Sequence, residues 1–161
     1  MKLNGLIALV AWVVSSVSFA AETAFPLSPD LSITPGSLCE NGNTYRYPER
    51  VRYCSRSVGG ALKKEVMDNY DRLLGYKVTQ MERSLFKIDH YIPLCMGGSN
   101  DETNLWPQHK SVYEQTDRLE QIACDQMAKG RIKQQEAIQY IRDAKSDPQN
   151  ASAIIATVEA L

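Results

Sequence analysis

The chain has 161 residues, 43% of them hydrophobic, enough for one buried core and too few for two well-packed domains. Eighteen Lys and Arg against 19 Asp and Glu leave a formal net charge of -1, which excludes a protein that coats nucleic acid through its overall charge. The positive charge is unevenly spread, with ten Lys or Arg against six Asp or Glu in residues 43–90 and seven against ten in residues 91–161, so a local basic face could still follow a phosphate backbone.

The chain begins with a short basic start at Lys2, an apolar run from Leu3 to Val17 and the small-x-small step Ser18-Phe19-Ala20. This pattern predicts a secretory signal peptide cleaved after Ala20. Ser15, Ser16 and Ser18 interrupt the run, which falls short of a comfortable membrane span. The expected mature protein is exported, periplasmic or secreted, monomeric and free of the membrane. Its four cysteines, Cys39, Cys54, Cys95 and Cys124, then favour disulfides over thiols. There is no C-x-x-C pair to suggest structural zinc. Three pairings are open, and the one that joins segments near in sequence, Cys39 with Cys54 and Cys95 with Cys124, is the expected one.

Residues 21–42 are rich in Pro, Ser, Gly and Asn without a sustained period, and predict an extended arm pinned by Cys39. Around Val51 and Tyr53 a short extended piece carries Arg46, Arg50, Arg52 and Arg56, the best basic patch in the sequence; a solvated charged edge would look the same. Leu62, Val66, Tyr70 and Leu73 or Leu74 recur at helical spacing and predict a helix from Gly60 to Leu74 closed by Gly75. Phe86, Ile88, His90 and Ile92 alternate with Leu85, Lys87, Asp89 and Tyr91 as in a strand, placing Asp89 and His90 on opposite faces if it stays regular. Gly97 and Gly98 make a turn, "NLW" a short return strand, and Pro107 suits a helix start, with Val112, Leu119, Ala123 and Met127 in phase up to Gly130. Further helices are expected near residues 132–145, where Ile138 and Ile141 lie one turn apart, and 151–160. The domain reading is a signal at 1–20, an arm at 21–42, one domain at 43–146 and a helical tail at 147–161 packed on it.

Both histidines lie in "FKIDHYIPLCMGGSNDETNLWPQH", Phe86 to His109. A lone histidine on an apolar strand face is usually a satisfied core residue, and Trp106 reads as core rather than as a base-stacking platform. Glu114, Asp117 and Glu120, at three-residue steps, read as a solvated stripe, from which Glu114 is the one near enough in sequence to count as a ligand. Lys110 could neutralise a phosphate or simply sit on the surface. A strand, a Gly-rich turn, a return strand and a helix can nevertheless hold a divalent cation beside a histidine. Phosphodiester hydrolysis needs those two parts, one to offset charge and one to take a proton near neutrality.

The stretch "IDHYIPLCMGGSNDETNLWPQ" resembles the D-H-x-x-P-x-x-x-G-G-(x)n-N-L core of HNH endonucleases, especially small exported bacterial proteins with a core like "DHLIPLELGGSNDxxNLWPQ". Weaker similarity continues upstream in "VRYCSRSVGGALKKEVMDNY" and downstream in "TDRLEQIACDQMAKGRIKQQEAIQYI". The resemblance implies an α+β, mainly helical fold with a ββα-metal core of hairpin plus helix and additional flanking helices. It also implies Asp89 as metal ligand, His90 as general base and Asn104 as the residue bracing the loop. His109 would complete the metal site, at a spacing that departs from many members, with Glu114 as the alternative ligand. The implied activity is hydrolysis of DNA or RNA with one divalent ion, Mg²⁺ or Mn²⁺ ahead of Zn²⁺ or Ni²⁺. Arg50, Arg52, Arg56 and Lys110 are the expected nucleic-acid contacts. The rival expectation is a non-catalytic nucleic-acid or protein-binding module that keeps the fold.

Overall fold

The computed structural model describes residues 23–161, so the signal segment expected at 1–20 and the expected cleavage after Ala20 lie outside the described residues. The fold is α+β and about half helical, with two small antiparallel sheets. Strands β1 (Thr44–Arg46) and β2 (Val51–Tyr53) form one hairpin; β3 (Phe86–His90) and β4 (Leu105–His109) form the other. Helix α1 (Gly60–Leu74) lies between the hairpins, and α2 (Lys110–Ala128), α3 (Gln134–Ser146) and α4 (Ala151–Glu159) follow β4. Among the described residues no helix is long and apolar enough to cross a membrane.

Helix α1 buries Val66 and Tyr70 of the predicted face, with Met67 beside them, half-buries Leu62 and Leu74 and leaves Leu73 exposed; it stops at Gly75, whose φ of 78° lets its N–H reach Asp71 O at 3.1 Å. Val66 and Tyr70 pack with Phe86, Ile88, Leu105 and Trp106 of the β3–β4 hairpin. A second cluster joins Leu119, Ala123 and Met127 of α2 to Ile138 and Ile141 of α3 and to Ile155 and Val158 of α4, so the last helix shares the main core. Trp106 is fully buried, as its core reading expects.

Helix α2 begins at Lys110, three residues later than Pro107 suggested. Pro107 instead pairs with Ile88 inside β4. A two-stranded sheet has only edge strands, where a residue lacking its N–H can face away from the partner strand. The delay makes His109 the N-cap, its Nδ1 accepting from Ser111 N at 3.2 Å.

The loop between β3 and β4 is tightly bound. A side chain at Gly98 would bring its Cβ within 1.9 Å of Ile92 O, so no larger residue fits. The N-terminal arm crosses this loop rather than standing free: Cys39 N donates to Gly97 O at 2.8 Å, Ser99 N to Ser37 O at 2.9 Å and Gly36 N to Thr103 O at 2.9 Å. Its Thr34 hydroxyl reaches Tyr70 OH at 2.8 Å.

The disulfides are Cys39–Cys54 and Cys95–Cys124, the expected pairing. The first fastens arm to β1–β2 hairpin, and the second fastens the turn after β3 to α2. Replacing Cys95 and Cys124 together by Ala is expected to lower stability by about 2–4 kcal/mol in a urea titration. An unchanged midpoint would mean that helix packing alone holds the turn.

Candidate active site

Strand β3 stays regular through His90, so Asp89 and His90 leave it on opposite faces and meet different partners.

Asp89 faces the helices. Its Oδ2 accepts from Lys145 Nζ of α3 at 2.8 Å, and the same ammonium donates to His90 O at 2.7 Å and lies 2.7 Å from Glu120 Oε1 of α2. Lys87, on the same strand face, stands 3.6 Å from Asp89 Oδ1 and 2.6 Å from Asp117 Oδ1. One carboxylate oxygen from each of Asp89, Asp117 and Glu120 lies within 4.8 Å of the others. Lys145 is fully buried, whereas the Lys87 side chain is 34% exposed. The two ammoniums therefore differ in freedom: Lys145 is fixed, and Lys87 can swing out.

Burial raises the pKa of Asp89, but the charges of Lys145 and Lys87 and the Lys145 hydrogen bond outweigh it and hold the carboxyl below the ordinary range. Burial lowers Lys145, and the opposing pull of Asp89 and Glu120 carries it above an ordinary lysine. Glu120 is pushed up by burial and by Asp89, against Lys145. Its Oε1 accepts no aligned hydrogen bond despite the nearby ammonium. A cleft of about 420 Å³ opens onto this cluster, lined by Arg46, Tyr47, Lys87, Asp117, Glu120 and Asp125 among others. The donors that Asp89, Asp117 and Glu120 offer are all carboxylate oxygens. Such a set fits a hard cation such as Mg²⁺ or Mn²⁺ better than Zn²⁺ or Ni²⁺.

His90 faces the other way and is buried. Arg56 Nη1 lies 3.1 Å from its Nδ1, while Nη2 donates to Ile88 O at 2.9 Å. A guanidinium only donates, so Nδ1 is the bare nitrogen and the proton sits on Nε2, 3.2 Å from Asn100 Oδ1. Asn100 is itself held by Ser57 N at 3.0 Å and by its own donation to Ser55 O at 2.8 Å. Burial, with Arg56 and Lys145, lowers the imidazole pKa against the raising effects of Asn100 and Asp89.

Asn104 is fully buried. Its Oδ1 accepts from Ile92 N at 2.8 Å, and its Nδ2 donates to Ile92 O and Ser99 O, each at 2.9 Å. It is bound to loop backbone, which makes it a bracing residue with no reach toward a substrate.

The structure does not bring His109 to Asp89. His109 is opposite Phe86 in the hairpin, whereas Asp89 is opposite Trp106 nearer the other end. The imidazole stacks on Phe25 with centroids 3.9 Å apart and caps α2. Glu114 is also elsewhere: it is exposed and 3.6 Å from Lys110, so those two pair with each other. Asp117 and Glu120, one and two turns further along α2, meet Asp89 instead. Arg50 and Arg52 lie on the β1–β2 hairpin and Arg56 at His90.

Reading the residues alone missed Asp117, Glu120, Asn100 and Lys145. A signal existed for Lys145, which continues the buried stripe of Ile138 and Ile141 at helical spacing. A lysine on an apolar stripe requires a buried carboxylate partner. Asn100 had no signal beyond its place in a turn. The chain matches no protein-family model, no curated protein and no solved structure.

Proposed function

We propose that the protein is an exported, divalent-metal-dependent endonuclease of the HNH type that hydrolyses phosphodiester bonds in DNA or RNA. The observation that carries this reading is the convergence of Asp89 of β3 with Asp117 and Glu120 of α2, their oxygens within 4.8 Å, with His90 following Asp89 in sequence. The order β3, Gly-Gly turn, β4, α2 is also the order of elements that the HNH resemblance implies.

A divalent cation held by Asp89, Asp117 and Glu120 would offset charge on the scissile phosphate and the leaving oxygen. Lys87 would yield its place beside Asp89 Oδ1 and Asp117, and Lys145 would keep Asp89 ionised and oriented from behind. Arg56 would leave His90 for a substrate phosphate, which a guanidinium binds in bidentate fashion. His90 leaves β3 on the face opposite Asp89, so its Nδ1, once bare, would take the proton of the attacking water only on a phosphate that reaches round the end of the strand to both faces, while Nε2–H stays on Asn100. The water oxygen bonds to phosphorus as the P–O3′ bond breaks, and the products are a 5′-phosphate and a 3′-hydroxyl, the outcome the resemblance implies. Asn104 holds the loop that keeps His90 and Asn100 in register.

One observation favours the rival reading of a non-catalytic binding module. Lys145 already supplies a sealed positive charge to Asp89 and Glu120, and both imidazole nitrogens of His90 have partners. The two readings separate on incubation of the purified protein with plasmid, single-stranded DNA and RNA in Mg²⁺ or Mn²⁺. The nuclease reading expects cleavage that EDTA abolishes, and intact substrates throughout would sink it.

A further inference from the structure

The β1–β2 hairpin carries two of the expected nucleic-acid contacts, Arg50 in an unusual turn and Arg52 on β2. Its turn holds two non-glycine residues in the left-handed region, Tyr47 at φ 65° and Arg50 at φ 60°. Such backbone is costly outside glycine and persists only where its surroundings enforce it. The hairpin is fastened at three points: the Cys39–Cys54 bridge beside Tyr53, Arg52 Nη1 donating to Gly42 O at 2.7 Å, and Glu49 Oε2 accepting from Gln134 N at 2.6 Å.

This rigid turn presents charge and aromatic surface together. Among the described residues Arg46, Arg50 and Arg52 form no ion pair, and Glu49, the hairpin's one carboxylate, is engaged at the start of α3. The guanidiniums of Arg50 and Arg52 lie over the ring of Tyr45, 5.0 and 5.1 Å from its centroid, and leave this large side chain 46% exposed. Arg46 lies 3.4 Å over Tyr53 and also lines the cleft that opens onto Asp117 and Glu120. Arginines supply the charge for a phosphate backbone, and an exposed ring supplies a stacking surface that accepts any unpaired base.

We propose that the β1–β2 hairpin is the docking surface for single-stranded nucleic acid, with a base taking the place of a guanidinium over Tyr45 as Arg50 and Arg52 turn to the phosphates, and the backbone following Arg46 into the cleft. A duplex keeps its bases stacked inside and cannot use Tyr45 in this way, so the surface selects for single strands. The inference rests on the nuclease reading for its purpose, and its test is independent of cleavage.

The test measures fluorescence anisotropy of a labelled oligothymidylate of about 15 nucleotides with the full-length mature protein, in EDTA so that no hydrolysis occurs. Tyr45→Ala is expected to weaken binding about tenfold, with Tyr45→Phe close to wild type. Arg50→Gln and Arg52→Gln are each expected to flatten the dependence of log K on log salt by about 0.7, whereas Lys64→Ala on α1 leaves it unchanged. A duplex of the same length is expected to compete poorly. Tyr45→Ala binding like wild type, or a duplex that binds as well as the single strand, overturns the inference. Circular dichroism melts establish that each variant is folded. A protein that binds as expected yet cleaves nothing in Mn²⁺ contradicts the nuclease reading alone.

Discussion

Lys145→Ala is expected to lower the stability of the protein by about 3–5 kcal/mol, read from urea midpoints at pH 7. The cost comes from what the ammonium leaves behind. Asp89 Oδ2 and His90 O lose donors at 2.8 and 2.7 Å, and Glu120 loses its close counter-charge, all around a side chain with no solvent exposure. Removing one partner of a buried ion pair strands the other, and that penalty exceeds what the pair itself contributes. Combining Lys145→Met with Asp89→Asn is therefore expected to cost less than the two changes added together.

The pH dependence gives the same account a sign. Asp89 has a lowered pKa in the folded protein, so its contribution is complete above the unfolded carboxylate range and is lost as pH falls through the folded value. Lys145 has a raised pKa, so its contribution is complete below the unfolded lysine range and is lost as pH rises through the folded value. Without Lys145 the burial of Asp89 is no longer outweighed, its carboxyl moves up, and protonation relieves it. The stability gap between wild type and Lys145→Ala should narrow as the pH is lowered toward about 4. A gap that widens instead would mean that Lys145 is not the partner that keeps Asp89 ionised.

His90→Ala is expected to reduce single-turnover cleavage by about 10²- to 10⁴-fold, the range for loss of a positioned general base. His90 is also buried between Arg56 and Asn100, so a urea midpoint for the variant separates lost chemistry from lost packing, and Asn104 still braces the loop. As the proposed base His90 must be neutral to act, and burial together with Arg56 and Lys145 lowers its pKa. The acid limb of kcat/KM is therefore expected below the ordinary histidine range near pH 6.5. Arg56→Gln should move that limb upward by removing a neighbouring positive charge, and should lower kcat/KM by removing the group that answers the substrate phosphate. An Arg56→Gln profile superimposable on wild type would place the guanidinium outside the reaction, and His90→Ala activity within tenfold of wild type would remove the imidazole from it.

The local period of the chain carried most of the fold. Val66 and Tyr70 on α1, the alternation through Phe86 and Ile88, and Gly75 at a helix end are short-range signals, and all appear in the structure where spacing puts them. Pro107 misled because its compatibility with a first helical turn is a local property, whereas its place in β4 is decided by the register with Ile88. The cysteine pairing followed from proximity along the chain.

The site was less legible, because it is made by helix packing. Glu114 was favoured over Asp117 and Glu120 by its distance along the sequence from the hairpin. What decides the matter is which face of α2 turns toward Asp89, and that depends on where the helix starts and how α3 and α4 pack against it. Asp117 and Glu120 share that face near Lys145, while Glu114, further up α2, pairs with Lys110. His109 was drawn to the metal by its residue type, and Phe25 from the N-terminal arm claims it by stacking. Arg56 was legible as part of a basic patch, but its contact with His90 joins residues 34 positions apart and no local rule reports it.

The cation site proposed at Asp89, Asp117 and Glu120 is tested most directly by Mn²⁺ titration in isothermal calorimetry at neutral pH. Wild type should bind one ion, Asp117→Asn should lose that binding, and His109→Ala should keep it. Failure of wild type to bind Mn²⁺, or retention of binding in Asp117→Asn with loss in His109→Ala, would contradict the account.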